Sequence, residues 1–352
     1  MGFILFAKVF LDPEEDNSKP DVKVSVIIPA RNEEKNLPFL LQSLKNQTLK
    51  PFEIIVVDDF SEDKTSDIAK SFGVKVIQNT PIPDGWTGKN WALWNGYLHS
   101  SGDVLIFLDA DVRLSHDGIE KLVKRLYKVQ GAISVIPYHK TEKFYEKLCM
   151  IVNILGVFAF TSPYERKSKQ KGLYGSCIAT FRNKYEKIGG HKSICGKITD
   201  DLSLGKRFCE CNINVENFLG VETIWFRMYP DGIKSQIQGI AKSALLSMQL
   251  LQKKTIFLIA LWVIGLVLSG FLTPILYLLQ SPLLTIFLLA YLLYFAQILY
   301  LRKYIGNFGI VMPLLHFIST AFFLFMILYS FYQVKFVGSV WWKGRQVQVG
   351  GK

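Results

Sequence analysis

The stretch Val104-Leu-Ile-Phe-Leu-Asp109-Ala-Asp111-Val112 decides how the chain is read. Five apolar residues run directly into two carboxylates separated by one small residue. A short unbroken apolar run suits a strand buried on both faces, as in a parallel α/β sheet. Its end then carries Asp109 and Asp111 to the carboxyl edge of the sheet, where open α/β sheets take their ligands. Strand alternation would aim the two side chains at opposite faces, and the small Ala110 permits a bend that brings them together. Two carboxylates at such an edge can hold a divalent cation against a phosphate. Alone, Asp-x-Asp equally describes a loop with two solvated acids.

Working back from it, Lys23-Val-Ser-Val-Ile-Ile-Pro29 reads as a β-branched strand. Leu37, Leu40, Leu41 and Leu44 then mark one face of an amphipathic helix. A second strand over 52–57 ends in Asp58-Asp59. Ser61 is placed to cap the next helix, which carries Ile68, Ala69 and Phe72 and closes at Gly73. A third strand follows over 74–77. The order β-α-β-α-β argues for a parallel, right-handed unit that binds a nucleotide. Acids stand at three strand ends of this unit, although a single one such as Asp59 also serves as a helix cap. Neither the Gly-x-Gly-x-x-Gly turn nor the Gly-Lys-Ser/Thr of a P-loop is present, so a nucleotide would be held through metal and side chains.

Val26-Ile-Ile-Pro-Ala-Arg-Asn-Glu33, Val56-Val-Asp-Asp59, Gly88-Lys-Asn-Trp-Ala92 and Leu108-Asp-Ala-Asp111, in that order and spacing, resemble glycosyltransferase family 2. The likeness runs over roughly residues 22 to 230. It implies an α/β domain of the GT-A type with a mainly parallel sheet, binding a UDP-sugar. By position it implies donor contacts from Pro29, Arg31, Glu33, Asp59, Lys89 and Asp109, with Glu33 and Asp59 at the uridine. It implies Mg²⁺ or Mn²⁺ on Asp109 and Asp111. In Ile198-Thr-Asp200-Asp201-Leu, Asp201 matches the family's catalytic base, and Asp200 replaces the glutamate often found before it. An N-cap role for this aspartate on a helix over 202–209 is compatible with catalysis. One-step displacement, as the family implies, inverts the anomeric carbon.

On the acceptor side the candidates are Trp86, His139, His191, Asp200, Trp342 and Arg345. Trp86 lies in a turn-rich loop, where it either covers the donor sugar or packs in the core. His139 ends a strand read over 131–137, and a structural hydrogen bond there is the plainer role. A further strand is read over 172–182. Residues 148–162 carry no charge and are too short to cross a membrane upright, so they form a buried helix or one lying among headgroups. A hydroxyl acceptor needs a base such as Asp201, whereas a carboxylate, with a pKa of about 4, is already ionised at neutral pH.

The 352-residue chain changes character near Lys254. Residues 1–21 form a short apolar segment with an acidic linker, 22–232 the catalytic domain, and 233–254 an interfacial helix. Residues 255–334 are a transmembrane region, and 335–352 a basic tail. Ile233, Ile237, Ile240, Ala244, Met248 and Leu251 share one helical face, as suits a helix seated on a bilayer. Apolar segments 255–279, 282–301 and 310–333 are each long enough to span. With the head in the cytosol, the first two form a hairpin returning at Arg302-Lys303, in keeping with the positive-inside rule. Three crossings would strand the basic tail outside, so either one segment is re-entrant, with Pro274 and Pro313 as break points, or the rule is broken. The net charge of +12 is spread over the head and around the apolar segments, which fits anionic lipid better than nucleic acid. Five cysteines in no framework spacing read as reduced thiols.

The tail Val340-Trp-Trp-Lys-Gly-Arg345-Gln resembles that of membrane members of family 2 that glycosylate carotenoid acids. The Gln-x-x-Arg-Trp motif of processive synthases is absent. The reading is therefore an inverting, metal-dependent enzyme of the cell membrane. It is multi-pass with a cytoplasmic head, and moves a single sugar, glucose from UDP-glucose, to a lipid-soluble acceptor such as a carotenoid acid or alcohol. Polyprenyl-phosphate or diacylglycerol glycosylation is the same-class alternative. A non-catalytic nucleotide-sugar-binding module is the alternative of another class.

Overall fold

The computed structural model describes residues 2–11, 21–243, 251–342 and 345–348, with backbone alone at 242–243, 339–342 and 345–348. The chain divides into two compact units. One is built from Val9–Tyr138 and Lys169–Phe226, the other from Met1–Lys8, His139–Ser168 and Arg227–Lys352.

The first unit is built on a seven-stranded sheet. Its strands are β1 (Val24–Ala30), β2 (Glu53–Asp58), β3 (Lys75–Gln78), β4 (Val104–Leu108), β6 (Ala132–Ile136), β8 (Cys177–Phe181) and β9 (Val215–Leu219). Two short strands, β5 (Val112–Leu114) and β10 (Ile224–Phe226), pair antiparallel beside it, and the chain leaves the unit through β7 (Tyr138–His139). The sheet order is β3-β2-β1-β4-β8-β6-β9. The half β3-β2-β1-β4 is parallel, as the β-α-β-α-β order requires. Beyond β4 the direction changes, because β8 runs antiparallel to both β4 and β6. All five residues of β4 are buried, which explains its unbroken apolar run.

The helix Leu37–Lys45 buries Leu37, Leu40, Leu41 and Leu44, the four leucines of its apolar stripe. Ser61 does not cap the following helix, Thr65–Ser71, whose N-cap position is Lys64. Its hydroxyl instead accepts from the Asn32 N–H. Within 172–182 only Cys177–Phe181 is strand. The helix expected over 202–209 begins earlier, at Asp200, with Thr199 as N-cap. Asp200 and Asp201 therefore stand in its first turn.

The second unit takes in His139–Ser168, which the sequence reading assigned to the head. The reason is burial: Met150, Ile151, Ile154, Val157 and Phe158 are all covered, and Phe158 meets Trp262 edge-on at 5.4 Å. Among the described residues four helices are long and apolar enough to cross a membrane: Phe144–Arg166, Lys253–Leu278, Leu284–Ile305 and His316–Val337. A single crossing by the first is excluded by chain connectivity, because the segments on either side of it, Val9–Tyr138 and Lys169–Phe226, belong to one compact unit. At the N-terminus, Phe3 and Phe6 pack on Tyr300 and Tyr304 at 5.5 and 5.2 Å.

Pro274 lies inside its helix without ending it. The segment 310–333 is broken: a short helix Val311–Leu314 stops at Leu315, and a new helix runs His316–Tyr332. The start of that helix is deep in the unit. A Cβ on Gly270 would lie 3.2 Å from Phe317, and the His316 ring is 4.4 Å from Tyr291. At 1.5 Å per residue, Gly270 is about 25 Å along its helix from Lys253 and Tyr291 about 21 Å from Ile305. The end of the helix returns: Ser330 Oγ donates to the Ala241 carbonyl at 2.8 Å, on the helix Ile233–Ser243 that precedes the first long hairpin. Between these points Asn307 N donates to the His139 carbonyl at 3.0 Å and its Nδ2 to the Thr141 carbonyl at 3.1 Å. The chain thus goes in and comes back on one side between Asn307 and Ser330. The helix Ile233–Ser243 is packed rather than open, with Gln236, Ile240 and Ala241 buried. Ala244 and Met248 of its expected stripe lie outside the described residues.

Candidate active site

One part of the candidate site is made by the ends of β1 and β2. Parallel pairing sets Pro29 against Val57 and Ala30 against Asp58, so both strands finish at one level. The two loops that follow are stitched together. Asn32 N donates to Ser61 Oγ at 3.0 Å, Glu33 N to Thr65 Oγ1 at 2.7 Å and Glu62 N to Asn32 Oδ1 at 2.8 Å. Arg31 Nη1 donates to the carbonyls of Asp59 at 2.7 Å and Phe60 at 3.0 Å. Asn32 and Phe60 hold φ of 53° and 56°, a left-handed backbone that non-glycine residues adopt where surrounding bonds enforce it.

The two acids at the end of β2 differ. Asp58 is used internally, accepting from Ser61 N at 3.0 Å and Gln78 Nε2 at 2.9 Å. Asp59 is oriented by a chain of amides: Asn95 Nδ2 donates to Asn79 Oδ1 at 2.5 Å, and Asn79 Nδ2 donates to Asp59 Oδ1 at 2.9 Å. Glu33 accepts from Asn36 Nδ2 at 3.0 Å.

At the end of β4 the expected bend is present: Asp109 follows Leu108, a turn takes Ala110 and Asp111, and β5 begins at Val112. Ala110 is buried while both aspartates keep partial exposure. Lys89, from the first turn of the helix Gly88–Leu98, places Nζ 2.8 Å from Asp109 Oδ1 and 3.7 Å from Asp200 Oδ2. Burial by itself would lower the Lys89 ammonium, but Asp109 and Asp200, with Asp201 beyond, hold it well above the usual lysine range. One cation therefore joins the Asp-x-Asp turn to the Asp200-Asp201 pair.

Asp201 is held from two sides. Its Oδ2 accepts from Gly175 N at 2.9 Å and its Oδ1 from Leu202 N at 2.8 Å. Gly175 lets the two approach closely, since a Cβ there would stand 3.0 Å from Asp201 Oδ2. Burial and the neighbouring Asp200 push the Asp201 carboxyl up to about 6, against the pull of Lys89 and the two N–H donors. That value suits a group that takes up a proton near neutral pH.

The remaining candidates fall elsewhere. His191 is buried, with Nδ1 2.7 Å from Tyr185 Oη, and burial drops it to about 4; it is a packing residue, not an exposed acceptor contact. His139 is equally buried, in the second unit, 3.0 Å from Asn153 Nδ2, and drops to about 4 for the same reason. This is the structural hydrogen bond expected of it. Trp86 is partly exposed and packs against Trp91 at 5.0 Å and Trp94 at 6.4 Å. The backbone at Trp342 and Arg345 forms a small antiparallel hairpin, and their side chains lie outside the described residues. Asn79, Asn90 and Asn95 shape the site but carry no sequence signal, since each acts through a partner sixteen or more residues away.

Two carboxylates are what the protein offers a metal, and no group of three or more ligating side chains is found among the described residues. Oxygen-only donors suit Mg²⁺ or Mn²⁺, which keep places for waters and substrate phosphates. In this structure Asp109 is paired with the Lys89 ammonium.

Residues 25–189 match the profile of glycosyl transferase family 2. A 4,4'-diaponeurosporenoate glycosyltransferase of Staphylococcus haemolyticus is 36% identical over 279 residues, covering 76% of this chain and 74% of its own. One from Staphylococcus aureus is 32% identical over 338 residues, covering 93% and 88%. Among solved structures, the mannosyltransferase PcManGT from Pyrobaculum calidifontis in complex with GDP-Man and Mn²⁺ is 17% identical, with 68% of each chain covered and a TM-score of 0.47.

Proposed function

The chain belongs to glycosyl transferase family 2 and is a glycosyltransferase, and from that premise we propose that it transfers a single hexose from a UDP-sugar to a carotenoid-type lipid acceptor with inversion. The observation that carries this is the meeting of Asp109, Lys89, Asp200 and Asp201 through one bridging ammonium. In this reading Glu33 and Asp59 bind the uridine, with Pro29 and Arg31 shaping the pocket around it. Asp109 and Asp111 would hold Mg²⁺ or Mn²⁺, which supplies Lewis-acid neutralisation of the leaving diphosphate. Lys89 turns from Asp109 to a diphosphate oxygen as the donor enters.

The carotenoid acceptor follows from the relatives' name. Toward a hydroxyl, Asp201 takes the proton as the oxygen attacks the anomeric carbon. Toward a carboxylate no proton needs removal, and Asp201 orients the sugar instead. A non-catalytic module would not need a carboxyl tuned close to neutral pH and aimed by two N–H groups, and this favours the enzyme.

The long apolar helices associate the protein with a membrane. The head is cytosolic in this reading, where nucleotide sugars are, and the long hairpin enters the bilayer and returns at Arg302-Lys303. In this reading the third segment is re-entrant, which the inward-and-back course from Asn307 to Ser330 supports, and the chain returns at Lys335 to the cytosolic side. The positive-inside rule is then obeyed throughout.

The test is incubation of membranes carrying the full chain with radiolabelled UDP-glucose, Mn²⁺ and a C30 carotenoid acid or alcohol, followed by mass spectrometry of extracted lipid. A single-hexose product, absent with Asp109→Ala, is expected. Label in polyprenyl phosphate or diacylglycerol would move the acceptor, and no label in any lipid from several donors would overturn the enzyme reading.

A further inference from the structure

Lys89 and Asn90 are neighbours on the first turn of the helix Gly88–Leu98, and their side chains serve different partners. Asn90 is fully buried. Its side-chain N–H groups spread over three backbone carbonyls, of Ile194 at 3.0 Å, Cys195 at 2.9 Å and Lys197 at 3.1 Å. Thr87 N also donates to the Cys195 carbonyl at 2.9 Å, and Lys197 N closes the turn on Ile194 at 2.9 Å. Gly196 comes so close that a Cβ on it would meet the Gly85 carbonyl oxygen at 2.9 Å. Asparagine is a poor choice for a buried helical position unless its amide is used, because its side chain competes with the backbone for hydrogen bonds. Here the amide N–H groups are used, to fix loop 194–197 on the start of this helix, while Oδ1 is buried without a hydrogen-bond partner among the described residues.

Three residues past that loop begin Asp200 and Asp201. On one side Gly175 N grips Asp201, and on the other Lys89 Nζ stands 3.7 Å from Asp200. The loop leads directly into the helix Asp200–Glu210 that carries them. We infer that Asn90 is a positioning residue for sugar transfer, fixing loop 194–197 so that Asp201 is presented to the acceptor beside the Lys89–Asp109 pair. This rests on the function proposed above. Apart from Lys89, whose side chain points to Asp109 and Asp200, the contacts assigned to the donor come from the ends of β1, β2 and β4, which Asn90 does not touch through its side chain. Loss of the amide should therefore spare donor binding and slow the chemical step, since a displacement of about 1 Å at a reacting group lowers rate by about a hundredfold.

The experiment uses the full chain in detergent, with Asn90→Ala and a second variant, Gly196→Ala, which leaves Asn90 in place but pushes the loop off Gly85. Three quantities are measured: kcat and KM for UDP-glucose, calorimetric binding of UDP with Mn²⁺, and hydrogen exchange over residues 194–201. Expected in both variants are faster exchange over 194–201, a kcat lower by about a hundredfold, and UDP affinity and KM near wild type. Exchange at the wild-type rate, or UDP affinity falling in step with kcat, would overturn the inference. If the wild-type chain transfers no sugar but both variants speed exchange and keep UDP affinity, the clamp is supported and the functional reading alone fails.

Discussion

Replacing Lys89 by glutamine leaves a polar side chain one heavy atom shorter and removes the positive charge that Asp109, Asp200 and Asp201 share. Nζ lies 2.8 Å from Asp109 Oδ1 and 3.7 Å from Asp200 Oδ2. At an effective dielectric of roughly 20, gross attractions at these separations are about 6 and about 4 kcal/mol. Desolvation offsets most of this. Hydrogen bonds to charged groups contribute roughly 1.5–3 kcal/mol net, and partial exposure puts this cluster near the lower end, about 1.5–2 kcal/mol. A unit of this size moves its unfolding midpoint by about 2–4 °C per kcal/mol, so Lys89→Gln should lower the midpoint by about 3–8 °C without divalent cation. Mn²⁺ should recover more of the loss in the variant than it adds to wild type, because the lysine no longer competes for Asp109. Turnover should fall by about a hundredfold or more, as on removing one preorganised group that faces developing negative charge. The measurements are thermal unfolding of the detergent-solubilised chain with and without Mn²⁺, and sugar transfer at saturating donor. A variant with the wild-type midpoint in chelator and wild-type turnover would refute the bridging role.

Asp201 is raised to about 6 by burial and Asp200. As a base it acts ionised, so transfer to a hydroxyl acceptor should decline as pH falls through about 6, and Asp200→Asn should move that limb lower. A profile of kcat/KM flat down to pH 5 would remove Asp201 as base. His139 and His191 are lowered to about 4 by burial, below the free value of about 6.5. The unfolded chain therefore binds more protons in this window, and the stability they contribute is full above about 6.5 and lost as pH falls through about 4. His191→Phe should flatten the slope of unfolding midpoint against pH, and an unchanged slope counts against it. Tyr185→Phe removes the hydroxyl lying 2.7 Å from His191 Nδ1 and 3.0 Å from its N. Leaving those groups buried and unpaired should cost about 1–3 kcal/mol in denaturant unfolding, with UDP binding kept.

What was legible in the sequence was whatever is local along the chain. The run Val104–Leu108 announced a strand buried on both faces, and the helix Leu37–Lys45 its leucine stripe. The bend at Ala110 followed from one small residue between two acids. The β4–β8 antiparallel pairing was not legible, because it joins segments some seventy residues apart and depends on neither segment's pattern alone. The same limit hid the amide chain Asn95–Asn79–Asp59 and the Asn90 clamp. Ser61 misled for a related reason: its hydroxyl had a choice of partners, and the neighbouring loop at Asn32 offered a better one than the helix. The fate of 148–162 depended on contacts with Trp262, more than a hundred residues on.

The division of the chain has a practical consequence for anyone wanting the head in water. Cutting after Phe226 removes the long hairpin and the tail but keeps His139–Ser168, which belongs to one compact unit with the part cut away and whose Phe158 packs on Trp262. Such a truncation would expose Phe158 and its neighbours and aggregate. A soluble head requires excising 139–168 as well and rejoining Tyr138 to Lys169 by a short polar bridge. The catalytic half of this protein is an interrupted message, and it can be copied out alone only by deleting from its middle.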